Sequence, residues 1–185
     1  MTRTYQPTTR LGLTALLVLA CLLLAIPSRA AAPVVFTSAY TDLNTQCRYA
    51  RSGAEGSDAP MICPGQGGYR LTISFSAFAA DVLVESRDGR FSRPIASDQA
   101  PNYAREKGRK AEWRLANGKP FAVILRTFAY RSNDLGEPDF SKKVGEKLVV
   151  KGLEGFEHID VEVDARTTPN ANARARQLAD EHYAK

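Results

Sequence analysis

The stretch AEWRLANGKPFAVILRTF, Ala111–Phe128, decides the fold. β-Formers flank Asn117-Gly118, and that pair tolerates the positive φ that a two-residue type I′ turn requires, so the stretch reads as a β-hairpin. In its first arm Trp113 points away from the face shared by Glu112 and Arg114, as a core tryptophan on a half-buried strand would; a binding-site tryptophan is the alternative. The second arm, Phe121–Leu125, is apolar at every position, which predicts a central strand buried on both faces.

Working outward, the segment Tyr69–Phe75 alternates cleanly, with Tyr69, Leu71, Ile73 and Phe75 on one face and Arg70, Thr72 and Ser74 on the other. This is the pattern of a half-buried antiparallel strand. Further strands are predicted at 33–40, around Val82–Val84, at 147–151 and at 156–163, the last with Ile159, Val161 and Val163 directed inward. Asp88-Gly89 is a turn pair. Arg90–Lys110 reads as a long loop with a helical turn near Tyr103, and Asn133–Ser141 as a shorter loop. Thr168-Pro169 predicts the start of a helix over about 169–181, a capping residue followed by proline at the first helical position. Its narrow stripe of Ala171, Ala175, Leu178 and Ala179 would rest on the sheet through Leu178, with fraying after Asp180. The fold class is therefore mainly β: an antiparallel sheet, or a small sandwich or barrel, with one C-terminal helix and one disulfide.

The N-terminus predicts export. Residues 1–10 carry two arginines and no acid, and Leu11–Ile26 form an apolar run of about sixteen residues, short for a membrane span and suited to a signal peptide. Pro27 ends the run, and Ser28-Arg29-Ala30 places small residues where a signal peptidase reads, so residues 1–30 are the predicted signal and 31–185 a single β-rich domain. An uncleaved anchor, and lipidation at Cys21 in Val18-Leu19-Ala20-Cys21, are the competing readings. No transmembrane span is expected after removal of the signal.

Loss of residues 1–30 removes three arginines and no acid, so the formal charge falls from +5 to +2. A modest excess of this kind argues against a nucleic-acid footprint, which needs a concentrated basic face. Only Cys47 and Cys63 then remain, and in the oxidising periplasm or medium two lone thiols pair, closing the polar loop between them. The spacing is not C-x-x-C and no histidine stands near, so neither a metal nor a redox site is expected.

Chemistry-bearing residues are few. His158 shares a predicted strand face with Asp160, Glu162 and Asp164, which could form a weak cation site or an acid–base pair; the preferred reading is the solvated side of an edge strand whose charges discourage pairing. Gly65-Gln66-Gly67-Gly68 runs into a strand rather than a helix, so it is a tight turn and not a phosphate loop. The basic set Arg87, Arg90, Arg93, Arg105, Lys107, Arg109 and Lys110 falls within one predicted loop and could meet an anionic partner, a periplasmic protein or an envelope polymer. No cofactor, metal or catalytic residue is assigned.

Tyr40-Thr41-Asp42-Leu43, Cys63-Pro64-Gly65-Gln66-Gly67-Gly68-Tyr69, Ala111-Glu112-Trp113-Arg114 and Pro120-Phe121-Ala122-Val123-Ile124-Leu125-Arg126 together resemble a family of small exported proteobacterial proteins of unknown function. The resemblance implies location and strand pattern, with no chemistry attached. A looser likeness, in architecture alone, is to periplasmic lysozyme inhibitors. Three functions are carried forward: a non-catalytic periplasmic or secreted binding or inhibitor module, a structural envelope protein contacting anionic surfaces through residues 87–110, and a hydrolase working through carboxylates such as Asp160 and Glu162.

Overall fold

The computed structural model describes residue 2 and residues 32–50, 59–75, 80–96 and 105–185. The predicted signal with its cleavage point and Cys21, and the predicted turn near Tyr103, lie outside the described residues. Two five-stranded antiparallel sheets carry the chain from Val34 onward. One sheet has the order β1 (Phe36–Asp42), β7 (Arg105–Ala116), β8 (Lys119–Ser132), β9 (Pro138–Gly152), β10 (Asp160–Asp164). The other runs β2 (Arg48–Tyr49), β3 (Met61–Pro64), β4 (Tyr69–Phe75), β5 (Ala80–Ser86), β6 (Ser92–Ala96). They are called here the long and the short sheet. The helix α1 spans Ala171–Tyr183.

The hairpin at Asn117-Gly118 joins β7 to β8. Ala116 pairs with Lys119, and φ is 49° at Asn117 and 79° at Gly118, the two left-handed residues that a type I′ turn needs. The pairing then skips Phe121, since Leu115 opposes Pro120 and Arg114 opposes Ala122. This bulge brings Phe121 and Ala122 into the same cluster on the helix side, with Ile124. Val123 and Leu125 point the other way, into the space between the sheets.

Burial on both faces thus makes two cores. Between the sheets, Trp113, Val123, Leu125 and Val149 meet Cys63, Leu71, Ile73, Val82 and Val84. Trp113 donates its Nε1–H to Thr41 Oγ1 at 2.9 Å, and that hydroxyl donates to the Pro64 carbonyl at 2.7 Å, so the one polar edge of the ring is satisfied by a link from sheet to sheet. On the opposite face of the long sheet, Ala171, Ala175 and Ala179 of α1 lie over Ile124, Leu148, Val150 and Val163. Tyr183 closes this second core in a ring cluster, 4.9 Å from Phe121, 5.2 Å from Phe156 and 5.4 Å from Phe36 between centroids. Cys47 and Cys63 are joined by a disulfide.

Several boundaries differ from the sequence reading. Residues 90–110 are not one loop: 92–96 form an edge strand of the short sheet, where Pro94 is tolerated, and β7 begins at Arg105. The expected loop 133–141 contracts to a turn in which Asn133 Oδ1 accepts the N–H groups of Leu135 and Glu137, both at 2.9 Å, and β9 starts at Pro138. The first strand begins three residues later and ends two residues later than expected. The last begins only at Asp160, because Phe156–Ile159 is a turn closed by the Ile159 N–H to Phe156 carbonyl bond. Val161 is only half-buried, while Ile159 and Val163 are buried.

The helix, too, departs from expectation. Thr168 is not its cap: Asn170 takes the left-handed conformation (φ 53°), which asparagine tolerates better than most residues, and α1 starts at Ala171. Leu178 is half-buried, so the three alanines, not the leucine, seat the helix. It does not fray after Asp180, because Tyr183 is held in the ring cluster and Asp180 in an ion pair described below.

Candidate functional site

Period two places Lys110, Glu112 and Arg114 of β7 on the helix side of the long sheet, beside Ser38 and Tyr40 of β1 and Arg126 of β8. Helix spacing places Asn172, Arg176 and Asp180 on one face of α1, four residues apart. Where these two rows meet, the apolar contact gives way to a ladder of alternating charge. Asp180 takes two bonds from Arg114, at 3.1 Å from Nε and 2.6 Å from Nη2. Arg114 also donates to Ser38 Oγ at 2.6 Å, and that hydroxyl donates to Glu112 at 2.5 Å. Glu112 accepts from Arg176 at 2.6 and 3.2 Å, and Arg176 reaches the Tyr40 hydroxyl at 3.2 Å. Arg114 and Glu112 are buried, so each needs these partners. The Glu112 carboxylate raises the Arg176 pKa above the ordinary arginine value, against the opposing effect of burial.

The ladder opens at one end into a groove of about 310 Å³ between the sheet and the first turns of α1. Its shape comes from a second bulge: Lys107 pairs with Thr127 and Ala111 with Leu125, so Gly108, Arg109 and Lys110 together oppose Arg126 alone. Gly108 is required there, since a Cβ on it would lie 2.9 Å from the Arg126 Cβ. The groove is floored by Ile124 and Leu148 and ringed by Tyr40, Arg109, Lys110, Arg126, Asn172 and Arg176. Arg126 is fixed from both sides, by an ion pair to Glu146 and a 3.0 Å bond to Asn172 Oδ1. The Lys143 ammonium lowers the Glu146 pKa, burial opposes this, and Arg126 adds to the lowering. Arg109 and Lys110 are exposed and pair with no carboxylate among the described residues. Asp42, opposite Lys110, is held below the usual carboxylate range chiefly by the Asn44 N–H, with Thr45 and the Lys110 charge adding to the lowering against an opposing effect of burial.

The seven basic residues singled out in the sequence are therefore dispersed. Arg109 and Lys110 line the groove. Arg87 and Arg90 lie in the β5–β6 turn, where Arg90 faces Asp88 at 3.5 Å. Arg93 is structural: it donates to the Gly152 carbonyl at 3.1 Å and to Asp160 at 3.0 Å, tying the edge of the short sheet to the long one. Lys107 is half-buried on β7, and the side chain of Arg105 lies outside the described residues. Sequence reasoning missed Tyr40, Arg126, Asn172 and Arg176, which come from three elements. Arg126, closing an otherwise apolar run, and the Asn172–Arg176–Asp180 spacing are the signals that could have found them.

The carboxylate face resolves into ion pairs at Asp160 and Glu162 and a backbone bond at Asp164. Asp160 binds Lys151 and Arg93, Glu162 takes Lys147 at 2.5 Å, and Asp164 accepts the Arg166 N–H at 2.8 Å. His158 is not on the strand with them; it stands in the preceding turn, its Nε2 2.9 Å from the His182 carbonyl at the end of α1. Gly65–Gly68 is a turn between β3 and β4, closed by the Tyr69 N–H to Gln66 carbonyl bond at 3.1 Å. Among the described residues no cluster of three His, Cys, Asp or Glu side chains is placed to hold a metal, and no helix is long and apolar enough to cross a membrane. In comparisons with known proteins, no family model, no curated protein and no solved structure matches this chain.

Proposed function

We propose that the chain is an exported, non-catalytic binding domain whose groove between the long sheet and α1 receives an anionic group of its partner, a periplasmic protein or an envelope polymer. The observation that carries this reading is the contrast within the groove. Arg126 and Arg176 are already bound to carboxylates and fixed in place, while Arg109 projects from the bulge with no carboxylate partner among the described residues and Lys110 beside it has only the more distant charge of Asp42 across the sheet. Cations held on strands and a helix, beside the Tyr40 hydroxyl and the Asn172 amide, form a preorganised anion receptor that loses little on binding. Export accords with the disulfide, since such bonds persist in oxidising compartments.

A hydrolase would need a carboxylate free to act. Asp160 and Glu162 are each held by a lysine instead. The test is calorimetric titration of the mature protein with inorganic pyrophosphate at low salt. Binding is expected, weakened at least tenfold in Arg109→Ala/Lys110→Ala and reduced by added salt; equal binding by that variant refutes the groove as the site. Intact-mass analysis of the exported protein checks the start near Ala31, and a chain retaining Leu11–Ile26 or a lipid on Cys21 refutes it.

A further inference from the structure

The register of the long sheet places the groove's charged and apolar groups side by side. Leu148 of β9 stands opposite Arg126 of β8, and Ile124 of β8 opposite Glu112 of β7, so each residue of the apolar floor lies one strand spacing, about 5 Å, from a charged neighbour. The hydrogen bonds decide what the wall can offer. Arg126 donates to Asn172 Oδ1, which fixes the orientation of that amide and leaves its NH2 group without a partner among the described residues. Arg176 donates from Nη2 to the Tyr40 oxygen, so the phenolic proton is left to donate. Glu112, the one carboxylate on the wall, is committed to Arg176 and Ser38. Every side-chain acceptor lining the groove is thus engaged, while the Tyr40 hydroxyl, the Asn172 amide, Arg109 and Lys110 remain as donors.

Taking the groove as an anion receptor, we infer that the group it receives is the carboxyl terminus of a polypeptide that ends in an apolar residue; without that receptor there is no such site. A wall of donors with no unengaged side-chain acceptor favours a ligand that only accepts, as an ionised carboxylate does. It disfavours one bearing hydroxyl or ammonium donors, which would give up hydrogen bonds to water without replacement. The apolar floor one strand away calls for a hydrocarbon group joined closely to that carboxylate. In a C-terminal residue both spring from the same Cα, so the carboxylate can meet Asn172, Arg109 and Lys110 while the side chain covers Ile124 and Leu148. An aspartate or glutamate within a chain carries no apolar group of its own and brings backbone on both sides, whereas a terminus enters end-on. An envelope polysaccharide would set hydroxyls against the wall and over the floor. The groove's volume of about 310 Å³, room for roughly ten water-sized groups, suits one terminal residue and not the chains of a membrane lipid.

The experiment is calorimetric titration of the mature protein, at low salt, with an N-acetylated tripeptide ending in leucine as the free acid. Beside it are titrated its C-terminal amide, the same peptide ending in glycine, octanoate, and vesicles containing phosphatidylglycerol. The leucine acid is expected to bind and to be displaced by pyrophosphate. The amide should bind at least tenfold more weakly, and the glycine acid severalfold more weakly. Asn172→Asp keeps an acceptor for Arg126 but sets a negative charge on the wall, and should weaken the leucine acid at least tenfold without lowering Tm, since an acid in the first turn of a helix is favourable. The assignment is overturned if the amide binds as tightly as the acid, if glycine matches leucine, if pyrophosphate does not displace the peptide, or if Asn172→Asp has no effect. Octanoate or vesicles binding more tightly than the leucine acid overturns it in favour of a lipid. Pyrophosphate binding that depends on Arg109 and Lys110, with no binding of the leucine acid, defeats the terminal carboxylate and leaves the receptor standing; loss of both defeats both.

Discussion

The two faces of the long sheet are covered by different chemistry. The face toward the short sheet is a dry sandwich in which Trp113, Leu125, Val123 and their partners exclude water. The face toward α1 is apolar only along the alanine stripe and the Tyr183 cluster; beside these it is a ladder of four charged groups. The difference teaches that one sheet can be held by two kinds of cohesion, one on each face. Nonpolar burial is nondirectional and tolerant of position, whereas a charge ladder fixes the helix at one register and leaves charged groups at its open end.

The largest expected effect tests the dry face. Trp113→Ala should cost about 3–5 kcal/mol in denaturant unfolding, since it empties the largest fully buried side chain and removes the indole's bond to Thr41. A loss near zero would show that the sandwich is not the main core. On the helix face, Asp180→Ala leaves Arg114, whose side chain is 6% exposed, with Ser38 as its remaining partner, and should cost about 3 kcal/mol. The double change Arg114→Met/Asp180→Leu should recover most of that loss. If it recovers none, the ladder contributes more than the removal of an unpaired charge.

The turn shared by both faces comes next. Gly118→Val forces a β-branched residue into positive φ and should lower stability by about 1–2 kcal/mol, read as a fall in Tm. The smallest effect lies at the groove's edge. Glu146 has a folded pKa held below its ordinary value, so its pairing stabilises the fold above the unfolded pKa of about 4.3 and is lost as pH falls through the folded value. Glu146→Gln should therefore cost less than about 1 kcal/mol at pH 7, and the gap to the parent should close below about pH 4. A gap that persists into acid would mean that the charge is not what matters.

Much of the dry face is legible in sequence. Phe121–Leu125 is apolar throughout because both its faces are buried, and Tyr69–Phe75 alternates because one of its faces is exposed. The strands at 105–110 and 138–146 are not legible, since most of their residues are charged or polar and no apolar period marks them. Their strand character comes from pairing with β8, a tertiary effect that local propensity does not encode. The groove is hidden for a related reason. Arg109 and Lys110 stand out as a basic run, but Tyr40, Arg126 and Arg176 come from distant segments, and only the register of β1, β7 and β8 and the placement of α1 bring them together.

The alanine stripe of α1 has a further consequence, in the order in which the molecule opens. Methyl groups give each helical turn little apolar area to hold it down, so α1 is held chiefly by two ion pairs and the rings around Tyr183. The strands beneath it are shared between two cores and cannot open without exposing both. Backbone amides of α1 will therefore exchange with solvent through a partial opening in which the helix lifts away while the sandwich stays closed, and those of β8 only when the whole domain unfolds. Such an opening would widen the groove without loosening the sheets that carry it.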